Sequence, residues 1–211
     1  MSSHQMTDDS NGATGVADTA RPRHFLILNN VQKVKNIKNM LTSASAFGVC
    51  EVFVVGQKKF DLEAHAAFLS SLRCPITRLP TLQDCRAHCQ ALGIRIIGVE
   101  IMASARSISE RPFSGDTAFI MGNEVQSRSH LEYAMLYIVF ICGWWHCVRF
   151  CVQGSGMNSA QVAICDAFVY IPQYGGGTAS LNVTVAASII LQSFALWAQV
   201  PIASGPVASG Q

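Results

Sequence analysis

The chain has 211 residues, half of them hydrophobic and 13% charged. That is too apolar for a disordered chain, and the length sets an expectation of one domain with tails. The formal net charge of +2 excludes the strongly basic composition from which nucleic-acid binding is read by charge alone.

Residues 1–22 read as a disordered tail: "MSSHQMTDDSNGATGVADTA" is polar and small and has no apolar signal-peptide core. "HFLILNN" (His24–Asn30) reads as a buried strand entering a polar turn. In "NIKNMLTSASAFG", residues Ile37, Met40, Leu41, Ala44 and Phe47 recur at helical spacing, with Asn36 as the expected cap and Gly48 as the stop. "CEVFVVG" (Cys50–Gly56) is the next strand, so strand, helix and strand predict a parallel crossover. Leu82–Leu92 suits a helix closed by Gly93. Three strands follow: "IRIIGVEI" (Ile94–Ile101), "TAFIMG" (Thr117–Gly122) and "DAFVYIP" (Asp166–Pro172). A last helix, expected from near Ser180, is apolar almost all round and should be buried on more than one side, a second subunit included. Residues 201–211 read as a flexible tail.

Strands alternating with helices give an α/β class: a mainly parallel sheet with helices on both faces. In such sheets ligands bind beyond the carboxyl ends of the strands. The polar and Gly-rich segments "NNVQKVKN", "GNE" and "IPQYGGGTASLN" fall there. The last is neither a Walker phosphate loop nor GxGxxG.

Three segments carry a family likeness: "NNVQKVKNIKNMLTSASAFGV" (Asn29–Val49), "FIMGNE" (Phe119–Glu124) and "IPQYGGGTASLNVTVAAS" (Ile171–Ser188). In this order they resemble the SpoU/TrmH branch of the SPOUT RNA methyltransferases, over a domain at 23–200. The resemblance implies a C-terminal trefoil knot, a homodimer, S-adenosyl-L-methionine as methyl donor and a ribose 2′-hydroxyl of tRNA or rRNA as acceptor. The donor would be held, mostly through backbone groups, by Met121, Gly122, Asn123, Ile171, Pro172, Ser180 and Leu181. Asn36, Glu124, Ser180 and Asn182 would position ribose and phosphate or assist proton transfer, because a 2′-hydroxyl must lose its proton while held in line with the methyl group. Lys33, Lys35 and Lys38 would meet RNA phosphates. No metal and no membrane are implied.

One position departs from the family pattern. Six residues after Asn36 the family has an arginine; here stands Thr42, which is shorter and carries no charge. This leaves open a rival reading, a non-catalytic RNA-binding dimer on the same fold.

A second departure is larger. Glu124 is followed by Val125–Gln153, 29 residues, where the family has a glycine at once. Removing them restores "FIMGNEGSGMNSAQ". Valine codons begin with GT and Gln153 can be encoded by CAG, as intron ends require, so the segment reads as a retained intron. Its apolar stretch Ala134–Val148 falls short of the ~20 residues a spanning helix needs. Cys142, His146, Cys147 and Cys151 are irregularly spaced for zinc. If translated, the segment interrupts the donor loop and should weaken donor binding.

The eight cysteines form no disulfide framework and read as reduced thiols of an intracellular protein, cytoplasmic or nuclear and not secreted. Cys85, His88 and Cys89 share one helix face, but no second ligand pair accompanies them, so buried thiols are expected there.

Overall fold

Apolar residues stand at consecutive positions in the strands because the sheet is covered on both faces. The computed structural model describes residues 21–57, 60–122, 156–175 and 181–203. The expectations placed on the first 20 residues, Asn123, Glu124, the 125–153 segment, Ser180 and the last eight residues lie outside them. Among the described residues seven strands form one sheet: β1 (His24–Asn29), β2 (Glu51–Val55), β3 (Ile76–Leu79), β4 (Arg95–Val99), β5 (Arg106–Ser107), β6 (Thr117–Met121) and β7 (Ala167–Tyr170). Their order is β3-β2-β1-β6-β4-β7-β5, and every pairing is parallel.

Alternate residues of each strand supply two cores. Leu26, Leu28, Val52, Val54, Phe119 and Met121 pack with α1 (Val34–Ala46) and α5 (Val183–Trp197), while Phe68 and Leu69 of α2 (Ala66–Ser70) lie at the margin. Phe25, Ile27, Phe53, Val55, Ala118 and Ile120 pack on the other side with α3 (Leu82–Ala91) and with Ile164, just after α4 (Ser159–Ala163). The expected α/β class with a parallel sheet and helices on both faces is what the chain adopts.

Two helix starts differ from expectation, and the short elements β3, β5, α2 and α4 were not expected. Helix α1 starts at Val34 with Lys33 at its cap, so Asn36 sits inside the first turn, buried on the core side. Val34 joins Ile37, Leu41 and Ala44 on the core-facing stripe, which draws the helix start three residues earlier. Helix α5 starts at Val183, because the Asn182 side chain accepts from Thr184 N at 2.9 Å and caps it there. Strand β3 was not expected: it is four residues long, lies at the sheet edge and is bracketed by Pro75 and Pro80.

Gly48 and Gly93 stop their helices at φ +74° and +68°, the left-handed ends expected of them. An ion pair locks α3 to the start of β7: Arg86 Nη1 lies 2.6 Å from Asp166 Oδ2, which also accepts from Ile96 N at 2.8 Å. The guanidinium holds the Asp166 carboxyl below its usual range. Cys85 and Cys89 are fully buried in the α3 core, and His88 meets Phe53 edge-on at 5.2 Å. Among the described residues no helix is long and apolar enough to cross a membrane.

Candidate active site

All carboxyl ends lie on one edge of a parallel sheet, so the loops that follow β1, β4, β6 and β7 gather there. Strand β4 runs between β6 and β7, and the residue after it is Glu100. Its Oε2 accepts from Met157 N at 3.0 Å and its Oε1 from Ile101 N at 3.0 Å. Burial pushes the Glu100 carboxyl above its usual range, and the two N–H donors oppose this.

The carboxylate fits because two neighbours lack side chains. A Cβ on Gly122 would stand 2.2 Å from Glu100 Oε2, and one on Gly156 only 1.6 Å. The same Cβ on Gly122 would lie 3.4 Å from the Gly156 carbonyl carbon. The residues on either side of 123–155 are therefore close neighbours, joined through Glu100. Gly98 is required by packing: a Cβ there would meet the Phe168 ring at 2.7 Å and Met157 Sδ at 2.9 Å.

A second junction links the first and third motifs. Ser188 Oγ donates to Thr184 O at 2.8 Å, so the 2.8 Å contact between Ser43 and Ser188 has Ser43 donating. This fixes α1 against α5 and brings Asn29–Val49 beside the start of α5.

The sequence-derived site residues divide as follows. Met121 is buried in the α1/α5 core, so only its backbone faces the edge; Gly122 N bonds Val99 O at 3.3 Å. Ile171 and Leu181 are half-buried, as is Pro172. Asn182 is the cap of α5, and Asn36 is buried in the first turn of α1. Lys33 and Lys35 are exposed, whereas the Lys38 ammonium lies over the Phe68 ring, 5.5 Å from its centroid. Thr42 Oγ1 donates to Lys38 O at 3.0 Å and so turns back on its own helix.

Sequence reasoning missed Glu100. The available signal was an acid directly after the apolar run "IIGV", a position that ends a strand at the ligand-binding edge.

Residues 23–139 match the model of the SpoU rRNA methylase family, which is more than half of the chain. The chain belongs to the SpoU family. The match takes in the first and second motifs; the third lies beyond it. Among curated relatives, the SpoU chain is 25% identical over 186 residues to an uncharacterized tRNA/rRNA methyltransferase of Mycolicibacterium smegmatis, covering 87% of this chain and 49% of that one. It is 27% identical over 178 residues to the 23S rRNA (guanosine(2553)-2'-O)-methyltransferase RlmP of Bacillus subtilis, covering 82% and 58%. The chain thus spans about half the length of these relatives. Its fold matches the SpoU methyltransferase AviRb of Streptomyces viridochromogenes, solved with its cofactor AdoMet, at a TM-score of 0.60 and 20% identity, covering 85% of this chain and 59% of that one.

Proposed function

We propose that this SpoU protein is an RNA methyltransferase that uses S-adenosyl-L-methionine to methylate a ribose 2′-hydroxyl of tRNA or rRNA. The observation that carries the reading is the glycine-lined junction at Gly122, Glu100 and Gly156, on the strand edge where the second motif meets the end of β4 and the chain that leads into α4. Two bare backbones pass a half-buried carboxylate there, and an acidic group beside uncrowded backbone suits a cationic sulfonium ligand. The names of the relatives agree with it.

S-adenosyl-L-methionine would lie against the backbone of Gly122, Ile171, Pro172 and Leu181, with Asn123 and Ser180 retained from the resemblance, and when bound it supplies an electrophilic methyl group. Glu100 holds the two sides of the loop together. Asn182 caps the start of α5 and Asn36 sits in the first turn of α1, from where they would position ribose and phosphate; Glu124 is the proposed proton partner. Lys33 and Lys35 supply exposed positive charge for RNA phosphates, with Lys38 beside them.

Two further features belong to the proposal. The chain leaves β6 and returns at β7 with β4 between them, the arrangement in which a C-terminal knot would form. Helix α5 exposes Val185 at 46% and Leu196 at 70%, on one face with half-buried Ile189, which supports a homodimer across α5.

Incubating the full chain, and in parallel the chain without Val125–Gln153, with methyl-labelled donor and unmodified tRNA and rRNA transcripts tests the activity. Label recovered in alkali-resistant dinucleotides is expected, since a methylated 2′-oxygen cannot attack the adjacent phosphate. Label on bases, or none, would overturn the reading.

A further inference from the structure

The other half of the sheet edge, over β1, β2 and β3, carries a cleft that the donor site does not use. Two adjoining hollows of about 420 and 290 Å³ share Gly56 and Gln57. The larger is walled by Val31 and Leu82 and lined by amide side chains: Gln32, which holds Asn30, and the four of Asn29, Asn30, Gln57 and Asn158. Among the described residues no charged side chain lines it.

Each of these four amides is held by one half. Asn29 Nδ2 donates to Val55 O at 3.0 Å, and Gln57 Nε2 donates to Val31 O. Asn30 Oδ1 accepts from Gln32 Nε2 at 2.7 Å, and Asn158 Oδ1 accepts from Gln161 N at 2.9 Å. The opposite halves make no hydrogen bond among the described residues: Asn29 Oδ1 and Gln57 Oε1 remain as acceptors, Asn30 Nδ2 and Asn158 Nδ2 as donors. An amide pinned at one end offers the other without a further rotamer cost. Asn30 is placed by a left-handed backbone, φ 58°, which is uncommon for a residue with a side chain.

We propose that this cleft receives the target nucleobase of the RNA. A neutral wall with both donors and acceptors suits a flat, uncharged ring that carries both kinds of group on its edge, and single-stranded RNA bases are read in this way. Exposed Arg78 lines the adjoining hollow and supplies a cation for a phosphate of the same strand. The cleft also abuts the donor edge, because Asn158 directly follows Met157, whose N–H is bound by Glu100. The proposal rests on the RNA-methyltransferase reading and names the part of the site that would choose the nucleotide.

The test uses the full chain saturated with S-adenosylhomocysteine, titrated with adenosine, guanosine, cytidine and uridine and followed by the side-chain NH₂ resonances of Asn30 and Asn158. One nucleoside is expected to shift both resonances. Asn158→Asp keeps the acceptor that caps α4 but removes the donor, and should weaken that binding roughly tenfold or more; Gln57→Leu should act similarly. No shift from any nucleoside, while S-adenosylhomocysteine shifts Gly122, overturns the base pocket and leaves the methyltransferase reading intact. A shift of the cleft amides by S-adenosylhomocysteine itself would make the cleft the donor site and also overturn the proposal. Nucleoside binding in the cleft, with no effect of S-adenosylhomocysteine anywhere, supports the pocket and counts against the methyl-transfer reading instead.

Discussion

The carboxylate of Glu100 accepts the backbone N–H of Met157 at 3.0 Å and so ties the end of β4 to the chain that leads into α4. Glu100→Ala removes an acceptor from two backbone donors and should cost about 1–3 kcal/mol in thermal or denaturant unfolding, together with donor affinity by calorimetry. Glu100→Gln keeps an acceptor oxygen and should recover part of both. Gly156→Ala should also destabilise, because its Cβ would fall 1.6 Å from Glu100 Oε2. Combining it with Glu100→Ala should make the pair less costly than the sum of the single changes; strict additivity would show that the carboxylate and the glycine do not meet.

His24 gives a pH dependence with a defined sign. Its ring is fully buried, 5.0 Å from the Phe194 ring, and neither nitrogen meets a partner of good geometry among the described residues. Burial holds it neutral, down to about 4 from 6.5, against a weaker pull from the Phe47 backbone. The unfolded chain therefore binds the proton more readily. Stability should be complete above pH 6.5 and fall as the pH drops towards 4, by up to about 3 kcal/mol. Glu100, whose carboxyl is raised, works in the opposite direction, so the measurement is the difference from His24→Leu, which should flatten the slope across that window.

Deleting Val125–Gln153 should leave a chain that folds and binds S-adenosylmethionine more tightly than the full chain. The physical reason is that Gly122 and Gly156 already lie side by side at Glu100, so a short turn suffices between them. Calorimetry on both forms decides it; equal affinities would sink the idea. Sequencing the mature transcript across the codons for Glu124 and Gly154 tests the intron reading separately.

Thr42 is exposed on α1 and hydrogen-bonds its own helix at Lys38 O. Thr42→Arg places a cation on the face that carries the first motif and should raise the methyl-transfer rate roughly tenfold. An unchanged rate in an active protein would show that the missing charge does not limit the reaction.

Leu196→Glu puts a charge in the exposed apolar face of α5 and should shift the protein towards monomer in sedimentation velocity, with its unfolding transition little changed. If wild type is monomeric at the same concentration, the proposed interface is wrong.

Much of the fold was legible because the physics behind it is local. Consecutive apolar residues marked β1, β2, β4, β6 and β7 as strands covered on both faces, and Gly48 and Gly93 marked helix ends. Strand β3 escaped because its four residues hold no unbroken apolar run and its prolines suggest a loop. Asn36 was misread as a cap because asparagine favours that position intrinsically, whereas the packing of Val34 set the actual start. Residue identity pointed to Asn182, but its role in the structure is capping α5, which sequence alone did not separate from chemistry.

The sequence by itself determined the α/β class, the strand-ending loops and the three motifs, since periodicity and turn residues act over a few neighbouring positions. The tertiary structure decided which of these meet. Glu100 is bonded to a residue 57 positions away, Ser43 to one 145 positions away, and the cleft amides come from β1, the end of β2 and the start of α4. Those meetings follow from the strand order β6-β4-β7 and from the packing of α1 on α5. Both are set by burial of the whole sheet rather than by any local pattern.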